Sequence, residues 1–140
     1  MSPLRISLEM PPNEHDRVRL ADALLDHSRA RFGDPTATPI GFFLRDDGGE
    51  LCGGLTGNLR WRWLYVDMLW VRGDLRNLGY GSRLLSEAED FARASGGVAV
   101  HLDTGGDEAL PFYLKRGYVV FGTLEGFPPG AKQYFLQKHL

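Results

Sequence analysis

The sequence predicts an α/β protein built on one mixed, mostly antiparallel sheet of seven strands with helices on both faces. Three observations carry that class. Short apolar runs suited to strands alternate with two long stretches of helical period, at 14–32 and 82–95. Residues 46–49 read Asp-Asp-Gly-Gly between two apolar runs, a tight turn that joins antiparallel neighbours. The run from Leu64 to Val71, the helix after it and the run from Val98 to Asp103 form a strand-helix-strand unit, which makes those two strands parallel. At 140 residues the chain suits one domain, 1–140, with a single core.

Leu4 to Met10 alternates Leu4, Ile6, Leu8 and Met10 with polar residues, the period of a half-buried first strand, and Pro11-Pro12 ends it. Asn13 caps a helix over Glu14 to Phe32, whose Val18, Ala21, Leu24, Leu25 and Ala30 recur at helical spacing. Residues 33–39, rich in Pro, Gly and Thr, stop that helix and form a loop suited to bordering an acceptor site. Ile40–Arg45 and Glu50–Thr56 make the hairpin, with Gly53, Gly54 and Gly57 marking a bulge or a close approach. Residues 58–63 form an aromatic and basic connection to the strand Leu64–Val71. Its tryptophans either pack on the core, or wall an acceptor with Arg60 or Arg62 drawing an acidic group. A helix over Ser82–Ser95 buries Leu84, Leu85, Ala88, Phe91 and Ala92 and ends at Gly96-Gly97. After the strand Val98–Asp103 comes a short helix within 108–118, and Val119–Leu124 and Gln133–Leu140 are the last strands.

Composition excludes several classes. A net charge of −2 gives no basic face for nucleic acid. No stretch is apolar enough to cross a membrane and the N-terminus has no secretory pattern, so no membrane partner is expected and the cytoplasm is the expected compartment. The lone Cys52, between Leu51 and Leu55, reads as a buried, inert thiol. His15, His27, His101 and His139 lack ligand spacing, so no metal is expected.

The segment Leu69 to Leu85 is the centre of the chain. An apolar strand (Leu69, Trp70, Val71) enters a turn with a basic residue and two glycines (Arg76, Asn77, Leu78, Gly79, Tyr80, Gly81), and a helical pattern begins at once at Ser82. The first amides of a helix have no partner inside it and lie at the positive end of its dipole, and glycine lets an anion approach them. A diphosphate fits such a turn, with Arg76 and Arg83 adding charge; alternatively Gly79 and Gly81 only let the helix pack closely. The lysine ending of the triphosphate loop and the third glycine of the dinucleotide fingerprint are both missing.

The run Val71-x-x-x-x-Arg76-x-x-Gly79-x-Gly81 resembles the acetyl-coenzyme A signature of the GNAT superfamily of N-acetyltransferases. The match spans roughly Tyr65 to Tyr118, with a second anchor in Ala109-x-x-Phe112-Tyr113-x-x-x-Gly117-Tyr118. The resemblance implies the acyl-CoA N-acyltransferase fold, splayed between strands four and five, with the pantetheine arm between them. It implies acetyl-CoA as cosubstrate, held by Leu69, Trp70, Val71, Arg76, Asn77, Leu78, Gly79, Tyr80, Gly81 and Ser82. It also implies Tyr113 as the acid that protonates the leaving thiolate. Asp67 stands where many members carry a glutamate acting as base through water; the alternative is a buried carboxylate satisfied by a neighbour. One departure is Gly106, at the place of an asparagine that contacts the coenzyme in many members.

An amine near the pKa of lysine is mostly protonated at neutral pH, so direct attack on a thioester needs a proton acceptor. His101, Asp103 and Glu108 are further candidates, and a backbone N–H near Leu69–Val71 is the expected donor to the developing oxyanion. The expected reaction is acetyl transfer to a primary amine of a small molecule or exposed peptide. A non-catalytic acyl-CoA sensor and a phosphate-binding interaction domain are the competing classes. Family resemblance also suggests a homodimer.

Overall fold

The computed structural model describes residues 2–140. The chain divides into two compact units, residues 1–35 and 36–140.

In the first unit, helix α1 spans Glu14–Phe32, as its periodicity predicts. Asn13 caps it, accepting a hydrogen bond from the Asp16 amide at 2.9 Å, and Gly33 closes it at φ 83° with its N–H on the Arg29 carbonyl. The expected first strand does not form: residues 4–10 carry no strand, and Leu4, Ile6, Leu8 and Met10 are exposed. A period of two marks a strand only where a neighbouring strand supplies hydrogen bonds, and Pro3, Pro11 and Pro12 remove donors at both ends.

The second unit is one mixed sheet of six strands, not seven. They are β1 (Thr38–Arg45), β2 (Leu51–Arg60), β3 (Trp63–Val71), β4 (Ala99–Gly105), β5 (Val119–Glu125) and β6 (Lys132–His139), in the order β1-β2-β3-β4-β6-β5. Only β3 and β4 run parallel; every other pair is antiparallel. The β1–β2 hairpin turns where Asp-Asp-Gly-Gly predicts, with Asp46 Oδ1 accepting from the amides of Gly48 and Glu50, both at 2.9 Å. The β2–β3 turn has just Trp61 and Arg62 at its tip, at φ 49° and 66°, so β2 runs on to Arg60, past the predicted end at Thr56.

Helix α2 (Tyr80–Ala94) and the short α3 (Leu110–Leu114) share one core with the sheet. Leu84, Leu85, Ala88 and Ala92 from α2 and Tyr113 from α3 join Leu55, Leu64, Val66, Val100, Leu102 and Leu136. Alternation sends Asn58, Trp63, Tyr65, His101 and Asp103 to the other face. Inside the core, Tyr118 donates to Glu89 Oε2 at 2.7 Å and Lys138 Nζ lies 3.0 Å from Glu89 Oε1, so the one buried acid is paired twice. Cys52 is buried and free, as expected.

Two irregularities set up the site. Asp67 is an extra residue in β3: Thr56 pairs with Met68 and Gly57 with Val66, leaving Asp67 unopposed as a β-bulge. In addition, β3 and β4 pair only from Trp63/Ala99 to Val66/Leu102 and then part. This is the splay that the resemblance implies, and it begins at the bulge.

Candidate active site

A cleft opens where the strands part, and its walls are Asp67, Leu69 and Trp70 from β3, Asp103 and Thr104 from β4, Tyr113 from α3 and Gln133 from β6. From Asp67 onward β4 no longer pairs with β3, and backbone groups so freed need other partners. A second cavity, of about 440 Å3, lies at the central turn. Leu69, Trp70, Val71, Arg76, Asn77, Gly79, Tyr80, Gly81 and Ser82 border it, nearly the whole predicted set; Leu78 alone of that set is absent from its lining and stands exposed.

The turn is built as an anion cradle. Between β3 and α2 a 3₁₀ turn (Gly73–Leu75), braced by an Arg72–Asp74 ion pair, carries the chain round to Arg76. Gly79 holds φ 88°, a conformation that suits glycine, and a Cβ there would meet open space. The first backbone bond closing α2 runs from Arg83 N to Gly79 O at 3.0 Å, so the amides before it are free of the helix ladder. No acidic side chain occupies the first turn, which leaves the positive end of the dipole for an external anion. These residues fit the diphosphate of coenzyme A. At Gly81 a Cβ would meet the Phe112 ring at 3.5 Å, an ordinary van der Waals contact, so packing there does not demand glycine.

The basic groups differ from expectation. Arg76 ties its Nε to the Val71 carbonyl at 2.9 Å, which holds it at the mouth of the cavity. Arg83 instead lies over Tyr80 and lines a separate recess with Phe42, Phe43 and Glu87. Its place is taken by Arg116, which the sequence reading missed. Arg116 donates to Ser82 Oγ at 2.9 Å and to the Phe112 carbonyl at 2.7 Å, with its guanidinium 3.8 Å from the Phe112 ring centre. A basic residue just before Gly117 was the available signal.

Tyr113 borders both the turn cavity and the splay cleft. It is buried, and its hydroxyl has no hydrogen-bond partner among the described residues. Burial, then the negative charge of Asp103, pushes its pKa up, so the phenol keeps its proton at neutral pH. Asp67 is exposed on its bulge, so the alternative of a buried, satisfied carboxylate does not hold. Asp103 is the fixed carboxylate: Tyr65 Oη donates to Oδ1 at 3.1 Å and Gln133 Nε2 to Oδ2 at 2.7 Å. Glu108 lies outside the linings of the cleft and the turn cavity, whereas His101 stands on β4 beside Tyr65 with their rings 5.0 Å apart. Burial, then Arg60, pushes the His101 pKa down and keeps the ring neutral. Gly106 has φ 76°, with its N–H on the Lys132 carbonyl, so backbone geometry favours glycine there. Among the described residues no cluster could hold a metal ion, and no helix is long and apolar enough to cross a membrane.

Residues 5–118 match the acetyltransferase (GNAT) family. A blasticidin-S acetyltransferase of Streptomyces morookaense is 41% identical over 66% of this chain and 68% of its own length. The acetyltransferase Atu2258 of Agrobacterium fabrum is 32% identical over 85% of this chain and 87% of its own. The crystal structure of an acetyltransferase from Bacillus cereus superposes with a TM-score of 0.89 at 27% identity, covering 98% of each chain. A strand-turn-helix anion cradle, a splayed parallel pair and a tyrosine at their junction are thus found in a chain whose relatives are acetyltransferases. The chain belongs to the acetyltransferase (GNAT) family, and it is an N-acetyltransferase.

Proposed function

We propose that the enzyme acetylates a primary amine of a small molecule by direct attack on the thioester. Residues 1–140 act as one catalytic domain, a reading supported by a family match that runs across residue 35. The observation that carries the mechanism is Tyr113, an unpartnered phenol at the junction of the two cavities. In this reading the amides of Tyr80, Gly81 and Ser82 with Arg76 and Arg116 hold the diphosphate. Leu69, Trp70 and Val71 flank the pantetheine arm, and Asn77 and Leu78 shape the turn. Bound acetyl-CoA supplies the activated acetyl group.

The chain's own residues manage the protons. Asp67, exposed at the mouth of the cleft, takes a proton from the incoming ammonium through water, leaving the neutral amine. As the amine's nitrogen bonds to the acetyl carbon and the carbon–sulfur bond breaks, Tyr113 gives its proton to the thiolate, and the second proton that the nitrogen sheds on becoming an amide passes through water to the tyrosinate and restores the phenol. Small-molecule acceptors are favoured over peptides because the more identical of the two curated relatives is a blasticidin-S acetyltransferase. The test is free-thiol release from acetyl-CoA with a panel of amines that includes blasticidin S. Turnover with a small amine is expected; turnover with exposed peptide amines alone contradicts the reading.

A further inference from the structure

The sheet face turned away from α2 carries a cavity of about 540 Å3, lined by Asn58, Arg60, Trp61, Trp63, Tyr65 and His101. That volume suits a small molecule. Its walls are flat rings. Trp63 stands edge-on to His101 at 5.8 Å and to His139 at 5.6 Å, and Tyr65 tilts over His101 at 37°.

Three further observations point to a ligand. The rim is a two-residue turn, a geometry that favours Asn-Gly, yet Trp61 and Arg62 hold left-handed φ values there. Strain of that kind is retained where the position of a side chain matters, and Arg62 braces the turn through the Gly96 carbonyl at 2.9 Å. Asn58 Oδ1 is buried without a hydrogen-bond partner, a cost that a donor on a ligand's edge relieves. Finally, Arg60 is the one charged residue in the lining, since His101 is held neutral beside it. An ammonium is therefore unwelcome in this cavity. It is welcome next door: Asp103 bonds to Tyr65 Oη, and Asp67 lies two residues along β3 from Tyr65, roughly 7 Å at strand rise.

We propose that the acceptor is a two-ended small molecule, with a flat, uncharged heteroaromatic ring stacked in this cavity and a primary amine reaching Asp67 and Asp103. This rests on the small-molecule reading above and names its substrate class. The ring contacts supply specificity, and the carboxylates orient the amine toward the cleft.

The ring half is tested without catalysis. The wild type is titrated with cytidine and adenosine, with ribose and putrescine as controls, following tryptophan fluorescence. Saturable quenching by the nucleosides and not by the controls is expected, weakened at least about tenfold in Trp63→Leu, the size of one lost stacking contact. Thermal melting shows whether that variant is folded, and Asn58→Ala, which removes the orphaned oxygen, is a second variant expected to weaken nucleoside binding. The amine half is read from kcat/KM with acetyl-CoA: histamine and tryptamine should exceed putrescine at least about tenfold, and Trp63→Leu should erase that preference. Absence of nucleoside quenching, or equal quenching in both folded variants, overturns the ring site. Thiol release that is equal for ringed and ringless amines overturns the specificity claim. No thiol release with any amine sinks the functional reading itself, while the titration still decides the cavity.

Discussion

Tyr113 is the residue on which the proposed chemistry turns. Its hydroxyl is unpartnered, its proton is held by burial and by the charge of Asp103, and it faces both cavities. Tyr113→Phe deletes one oxygen and leaves the packing against Tyr118. Steady-state kinetics should show kcat about a hundredfold lower with the KM for acetyl-CoA little changed, the signature of a lost proton donor. Retention of most turnover would remove Tyr113 from the mechanism. The motif made this position legible in the sequence, but its surroundings were not. Asp103 and Arg116 act through partners 30 and 34 residues away in the chain, and no local pattern encodes such pairs.

At the scale of elements, β2 and β3 do more than build a sheet. The bulge at Asp67 returns Leu69 and Val71 to the core side and coincides with the point where β3 leaves β4. Gly57 is what the bulge requires of β2, because a Cβ there would sit 2.5 Å from the Tyr65 carbonyl oxygen. Gly57→Ala should therefore cost about 2 kcal/mol, seen as a lower urea midpoint at unchanged slope. An unchanged midpoint would show that the strands have room. The glycines pointed to a bulge or close approach, whereas the position of the extra residue depends on register. Register is a relation between two strands, so β3 alone did not reveal it. The missing first strand teaches the same lesson, since the alternation of Leu4 to Met10 was clear and its hydrogen-bonding neighbour was not.

For the whole molecule, class and order of elements were legible because α2, the hairpins and the crossover each follow a local period. Association is the property that local periods leave open. Residues 4–32 expose Leu4, Ile6, Leu8, Met10, Leu20, Leu24 and Phe32, and α1 has no buried residue. Side chains of that size are seldom left in water together. A homodimer in which a second copy covers them is the expected state, and light scattering at twice 15.6 kDa would agree with it, whereas a monomer at all concentrations would contradict it.

Every role proposed for the site depends on the turn before α2 holding the coenzyme. Calorimetric titration of acetyl-CoA into the wild type and Gly81→Glu tests it most directly. A carboxylate in the first turn favours the helix itself, so the variant should stay folded while repelling the diphosphate. Binding by the wild type and a loss of at least about tenfold in the variant is the predicted result. Equal affinity in the two proteins would place the coenzyme elsewhere.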